Sequence, residues 1–338
     1  MMKRRLVFFL ALCLALPCVW AGGEEMGEKL YTGRTTMSPK VYASWEGTQG
    51  IDKIGSIPQG RRVDIYAVNP TFAYVVFERN QIGGYIRRVA LEDIRVVDPG
   101  ATPPYGVEFN RFIGRVSAWD AQVTSAPGGG DALITLHRGA RVSLIGFETG
   151  YAKLIFKRQY GYIDSRLLGE MDQVYESAED AGSDAPIASY TSFYKITEDE
   201  SNQNRIVNLK VACDRLAMRA LPHGADLDFN RDIGPYRASM GYLRAGSITE
   251  EGLIQGYGGG TCQVSSTLYN VLLQLPGITV LQRRAHGANG ASYLPIGMDA
   301  AVGNNGLNLR FRNDYGFPIR IDGTVQDGAL TIAIYKAE

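Results

Sequence analysis

The chain has 338 residues, 35 basic and 35 acidic side chains, a formal net charge of +0 and 45% hydrophobic residues. That length accommodates two or three folded units. The neutral balance gives no reason to expect nucleic acid as a partner, and nothing after residue 22 is long and apolar enough to cross a membrane.

The first residues read as an export signal. Lys3, Arg4 and Arg5 are followed by an apolar stretch from Leu6 to Trp20, shorter than a membrane helix, with a cut expected after Ala21. Residues 1–21 are therefore assigned as a signal peptide, the alternative being an uncleaved anchor. The mature chain is expected in the periplasm or cell envelope, with no transmembrane segment left. Cys13 and Cys18 leave with the signal, and Cys213 and Cys262 remain where disulfides are permitted. A Cys213–Cys262 bridge is the sharpest competitor to any chemistry by Cys262.

An internal repeat fills the N-terminal half. Gly60, Arg62 and Val63 match Gly139, Arg141 and Val142, and Phe77 matches Phe156, all 79 residues apart (156 minus 77). Gly84-Tyr85-Ile86 then answers Gly161-Tyr162-Ile163 with two residues lost. Each copy shows short β-branched and aromatic strands broken by Gly, Pro and Asn turns. The pattern resembles bacterial Src-homology-3-like barrels, assigned to residues 28–98 and 107–170. Such barrels serve as spacers or as wall-binding modules. Tyr42, Trp45, Trp119 and Tyr160 are candidates to line grooves or to fill cores.

Residues 171–203 turn acidic, with Glu176, Glu179, Asp180, Asp184, Glu198, Asp199 and Glu200 among Ser and Gly, and read as a linker. The C-terminal unit, 204–338, is expected to be α+β. Ile206, Leu209, Cys213, Leu216, Ala217 and Ala220 fall at helical spacing, placing Cys213 on an apolar stripe. A second helix runs from Cys262 through Val264, Leu268, Val271 and Leu272, with Thr261 as its expected cap. The tail alternates as strands, and Asp327-Gly328 is a hairpin signal.

The chemistry concentrates at Gly258-Gly259-Gly260-Thr261-Cys262-Gln263. A thiol at a helix start sits beside orphan N–H groups and the positive end of the helix dipole, which favours a thiolate. Preceding glycines, Gly259 and Gly260 among them, permit close approach by another backbone, such as a substrate's. N–H groups from Gly260 through Thr261 to Gln263 are candidate oxyanion donors, with the Gln263 side chain a further one. A cysteine nucleophile needs a base and an orienting group. His286, at a strand end beside a glycine, is the candidate base, and His223 in its Pro-His-Gly turn reads as a surface residue. Asp299, Asn289, Tyr293 and Asn313 are candidate orienters between which spacing does not choose. No metal-ligand spacing is present, and neither a metal nor a cofactor is expected.

The string Gly258 to Asn270, G-G-G-T-C-Q-V-S-S-T-L-Y-N, resembles the core motif of the VanW-like family. Further landmarks are Arg205 to Leu209, Phe229-Asn230, Ile233-Gly234-Pro235, Gly241-Tyr242, His286, Tyr293, Pro295, Gly297 and Asp299 to Val302. The likeness covers about residues 205–336. Departures are Gln282-Arg283 in place of a Glu-Arg pair, a longer gap from His286 to Tyr293, an extra residue around His223, and Leu227-Asp228 before Phe229-Asn230.

The resemblance implies an L,D-transpeptidase-like acyltransferase of peptidoglycan. Cys262 would be the nucleophile and His286 the acid and base; Asp299 is carried as the third catalytic candidate, the orienting residue being left open by the resemblance. Gly259, Gly260, Thr261, Gln263, Arg283 and Tyr293 would contact substrate, with Arg283 or Arg284 paired to stem carboxylates. Peptidoglycan stem peptides or glycan would be the partner. The alternative is a non-catalytic wall-binding or envelope interaction protein, with Cys262 structural or bridged to Cys213.

Overall fold

The computed structural model describes residues 27–46, 49–68, 72–78, 82–97, 109–217, 220–249, 252–286, 291–295, 297–304 and 306–338. The expected signal peptide lies outside the described residues. Among the described residues no helix is long and apolar enough to cross a membrane.

The first repeat forms one sheet of β1 (Tyr31–Thr35), β2 (Lys40–Glu46), β3 (Gln49–Ser56), β4 (Arg62–Val68), β5 (Phe72–Phe77), β6 (Ile82–Arg87) and β7 (Leu91–Val96). Their order is β3-β2-β6-β5-β4-β1-β7. The second repeat contributes β8 (Phe112–Val116), β9 (Asp120–Ala126), β10 (Gly129–His137), β11 (Arg141–Leu144), β12 (Gly146–Glu148), β13 (Tyr151–Phe156), β14 (Gln159–Asp164) and β15 (Leu168–Gln173). These run β10-β9-β14-β13-β12 and β11-β8-β15. The two orders coincide once β4 is split into β11 and β12. The split falls at Ile145, 79 residues beyond Tyr66, where β4 shifts register against β5. One bulge in the first copy is thus a full break in the second. Gly60 and Gly139 both have positive φ, as do Glu78 and Lys157, so the turns repeat with the strands. Among the described residues no pairing closes either set of strands into a complete barrel.

The C-terminal unit is α+β. It holds β16 (Pro186–Phe193), α1 (Glu200–Leu216), β17 (Asp226–Asp228), α2 (Phe229–Asp232), β18 (Arg244–Thr249), β19 (Gly252–Tyr257), α3 (Thr261–Leu272), β20 (Ile278–Gln282), β21 (Arg310–Asn313), β22 (Ile319–Gln326) and β23 (Ala329–Lys336). Strands β16, β23 and β22 form an antiparallel sheet, and Asp327-Gly328, both at positive φ, turn β22 into β23. Helices α1 and α3 cover one face of this sheet, while β11 and β13 of the second repeat pack on the other. That double covering explains why all eight residues of β16 are buried.

This corrects the expected linker. Charges cluster at 176–184 and 198–200, but Ile187 to Phe193 between them is apolar or small and forms a fully buried strand. The second repeat is therefore fastened to the C-terminal sheet. Phe156 and Phe193 rings pack 4.8 Å apart, and Thr191 Oγ1 accepts from Ser143 N at 2.8 Å. Arg141, only 13% exposed, pairs with Asp322 at 3.0 Å and donates to the Tyr335 hydroxyl at 2.6 Å. The first repeat reaches the same unit where Arg88 lies 3.3 Å from the position a Gly297 Cβ would take.

Of the aromatic groove candidates, Trp119 is 78% exposed under the Arg138 guanidinium, whereas Tyr42 and Trp45 pack on Phe72. Phe193→Ala is expected to cost about 3–5 kcal/mol. Urea unfolding of the full chain checks this, and one shared transition for the second repeat and C-terminal unit is expected.

Candidate active site

The turn before α3 requires glycine for the protein's own packing. Gly258 and Gly260 have φ of 78° and 106°, which L side chains rarely adopt. A Cβ on Gly259 would sit 2.6 Å from the Ala245 carbonyl oxygen, and one on Gly260 would sit 2.7 Å from Arg205 Cγ. The close approach expected of a substrate backbone is thus made by β18 and α1 instead. Gly260, not Thr261, is the N-cap; Thr261 is the first helical residue and makes no cap bond.

Eleven of the twelve residues of α3 are buried, and Cys262 is the exception. The buried residues include a run of polar side chains, each tied to backbone or to a partner side chain. Ser265 Oγ donates to the Ala300 carbonyl at 2.6 Å, and Ala300 N donates to Ser266 Oγ at 2.9 Å. Asn270 Nδ2 donates to the Met298 carbonyl at 2.7 Å. Thr267 Oγ1 and Ser192 Oγ are 2.6 Å apart across to β16. These bonds clamp residues 298–302 alongside the helix, which a buried polar group must do to offset its lost hydration.

The clamped segment carries Asp299, fully buried. Its Oδ2 accepts from the His286 backbone N at 2.7 Å and lies 2.6 Å from His286 Nδ1. Burial opposes the Asp299 charge, but the His286 hydrogen bond and the Arg283 guanidinium outweigh it and hold the carboxyl below its usual range. Nδ1 is thereby committed, leaving Nε2 for the thiol, and the Cys262 side chain is near enough to His286 to influence its pKa. Burial lowers the His286 pKa, yet the bonds and charges of Asp299 and Cys262 prevail and push it up to about 10. The Cys262 sulfur also rests on Val302, donating to its carbonyl at 3.3 Å, with Val302 N 3.5 Å away. Thiol, imidazole and carboxylate stand in series, the arrangement a cysteine nucleophile needs.

Helix start geometry leaves a donor beside the sulfur. Thr261 N bonds Gly258 O and Gln263 N bonds Gly260 O, while the Cys262 N–H has no acceptor among the described residues. It is oriented as an orphan helix N–H, suited to a developing oxyanion.

Other expectations change. Gln263 is fully buried: Nε2 donates to Ser192 Oγ at 2.9 Å and to Phe193 O at 3.3 Å, and Oε1 accepts from Arg205 at 2.7 Å. Its amide holds β16 and is not presented to a substrate. Arg283 likewise turns inward. Its Nε donates to Asp299 O at 2.7 Å and Nη2 to Gly297 O at 2.6 Å, with the guanidinium over Tyr269. It positions the Asp299 segment and does not meet a carboxylate in solution, whereas Arg284 is exposed.

Burial and the nearby Cys262 charge raise the pKa of Tyr293. Burial, with the Cys262 charge, likewise raises the pKa of Tyr236, whose hydroxyl donates to Asn230 Oδ1 at 3.0 Å. Asn313 instead bonds the Leu221 and Phe317 carbonyls, away from the thiol, and Asn289 lies outside the described residues. His223 is exposed, with Nδ1 2.8 Å from Tyr315 O.

Among the described residues Cys213 and Cys262 are both free. Cys213 is buried on α1, its sulfur 2.7 Å from where a Gly323 Cβ would stand. The expected rival disulfide is not formed, because Cys213 packs on the sheet side of its helix while Cys262 faces outward. Cavities of about 300 Å³, near Arg111 and Phe147, and about 280 Å³, near Arg215 and Leu227, do not border Cys262.

Residues 204–335 match the family model described as VanW like protein. The C-terminal unit is a VanW-like domain. The chain is 26% identical over 277 residues to "Uncharacterized protein YoaR" of Bacillus subtilis (strain 168), covering 76% of this chain and 84% of that protein. It is 28% identical over 129 residues to "Vancomycin B-type resistance protein VanW" of Enterococcus faecalis (strain ATCC 700802 / V583), covering 37% of this chain and 46% of that one. Among solved structures, NlpC2 from Trichomonas vaginalis aligns over 58% of each chain at 11% identity, with a TM-score of 0.18, too low to indicate a shared fold.

Within the VanW-like domain, Ser265, Ser266, Asn270 and Arg205 were not singled out as site residues from the sequence. The signal that points to them is a helix whose polar residues leave no polar face. The raised His286 pKa stabilises the folded state fully below about pH 6.5 and is lost as pH rises through about 10. NMR titration of His286 is expected to show an imidazolium persisting well above pH 6.5, and Asp299→Asn is expected to lower its midpoint.

Proposed function

We propose that the chain is an exported, peptidoglycan-associated cysteine acyltransferase of the L,D-transpeptidase type. The observation that carries this reading is the series Asp299–His286–Cys262, running from a buried carboxylate to Cys262, the one residue of α3 that is not buried. The name of the VanW relative, a vancomycin B-type resistance protein, favours a cell-wall setting. The signal-like N-terminus favours the envelope.

In the first step the Cys262 thiolate attacks the diaminopimelate carbonyl of a donor tetrapeptide, forming a C–S bond. The oxyanion takes the Cys262 N–H, with the helix dipole behind it. The C–N bond breaks as His286 gives its proton to the leaving amine, releasing D-alanine. In the second step the side-chain amine of an acceptor stem attacks the thioester. His286 receives the amine proton, the C–S bond breaks, and a 3-3 cross-link and the thiolate result. Asp299 keeps the imidazole in the tautomer and orientation both steps need.

We read the two repeats as Src-homology-3-like modules of residues 28–98 and 107–170, preceding a VanW-like domain of 204–338; the 79-residue repeat of strands and turns supports this reading. Fastened to the domain through β16, they would hold the enzyme on its polymer and raise the local substrate concentration.

Cells producing the Cys262→Ala chain are expected to lose the 3-3 cross-links that the unsubstituted chain adds, by muropeptide analysis. Unchanged cross-linking refutes the transpeptidase reading. His286→Ala is expected to lower the rate by about 10²–10⁴-fold.

A further inference from the structure

One charged group beside the thiol has no role in the series above. Arg205 rises from α1 across Gly260, its Nε 3.5 Å and its Cγ 2.7 Å from where a Gly260 Cβ would stand. Its Nη2 then reaches Gln263 Oε1 at 2.7 Å. The side chain therefore runs from Gly260 to Gln263, the residues that bracket Thr261 and Cys262 in the chain. A guanidinium carries five N–H donors in a fixed fork. Among the described residues Arg205 makes that one hydrogen bond and no ion pair. The ionisable groups that reach it are Tyr293, Cys262 and Tyr194, and no carboxylate is among them. Half-buried arginines ordinarily carry a carboxylate partner, since burial without one is costly. Arg283 in the same domain does so with Asp299.

We propose that Arg205 is a carboxylate-recognition residue, which selects peptides whose free C-terminal carboxylate belongs to the residue just beyond the bond attacked by Cys262. In such a peptide three bonds separate the attacked carbonyl carbon from the carboxylate carbon, which places them within about 4 Å. A cation that shares its surroundings with the nucleophile can meet a carboxylate so close to the attacked carbon, and the fork matches a carboxylate in bidentate fashion. The tightly held Gln263 fixes the guanidinium, so little freedom is lost when the anion arrives. The assignment rests on the acyl-transfer reading for the identity of the attacked bond. It makes the substrate a peptide with its terminal residue as leaving group, and it disfavours attack within a longer chain.

The test measures binding apart from turnover. The full chain carrying Cys262→Ala is titrated calorimetrically with the tetrapeptide L-Ala-γ-D-Glu-diaminopimelate-D-Ala as free acid and as C-terminal amide. The free acid is expected to bind at least about 10-fold more tightly, the scale of one charge-assisted contact. Adding Arg205→Gln is expected to erase that preference by weakening acid binding to the level of the amide, with urea unfolding of the variant reporting an intact fold. Arg205→Lys, keeping charge without the fork, is expected to retain part of it. A preference that survives Arg205→Gln, or equal binding of acid and amide to the parent chain, overturns the proposal. A chain that shows the preference but never turns the peptide over refutes acyl transfer and supports the carboxylate site.

Discussion

The hydrogen bonds between α3 and the backbone of residues 298–302 are what the rest of the site depends on. A helix buried on all sides is ordinarily apolar. Here three of its buried polar side chains bond one irregular segment, through Ser265 and Ser266 to Ala300 and Asn270 to Met298. That segment has no sheet partner of its own, and the helix supplies one side chain by side chain. It brings Asp299 to His286, and Val302 to the Cys262 sulfur. Removing any of these bonds leaves a buried donor or acceptor unmade, which costs about 1–3 kcal/mol. The motif around Cys262 is therefore mostly a fastening, with one residue of it left for chemistry.

A second constraint comes from the other face of the sheet. Because β16 and β23 lie between α3 and the second repeat, the repeats are part of the structure that holds the helix. Arg141, Ser143 and Phe156 of the second repeat reach Asp322, Thr191 and Phe193 of the C-terminal unit. The geometry at Cys262 is thus supported from behind by a β unit remote in sequence.

Much of this was legible from the sequence where local physics decides. The 79-residue repeat, the helix opening at Cys262, the Asp327-Gly328 hairpin and the buried Cys213 follow from spacing and turn chemistry. Asp299, His286 and Tyr293 were among the candidates, and the fold gathers them at the thiol. What could not be read was which polar residues look inward. Gln263 and Arg283 resemble substrate contacts in a linear string, but their donors are used by Ser192, Phe193, Gly297 and Asp299. The acidic flanks likewise hid β16, since composition averages over a strand only eight residues long.

The most direct test of the account is intact-mass analysis of the full chain mixed with the donor tetrapeptide and quenched in acid, followed by peptide mapping. The account predicts an added mass equal to the tripeptide acyl group, borne by the peptide containing Cys262 and absent from Cys262→Ala. An unmodified chain, or an adduct that persists in Cys262→Ala, would contradict it.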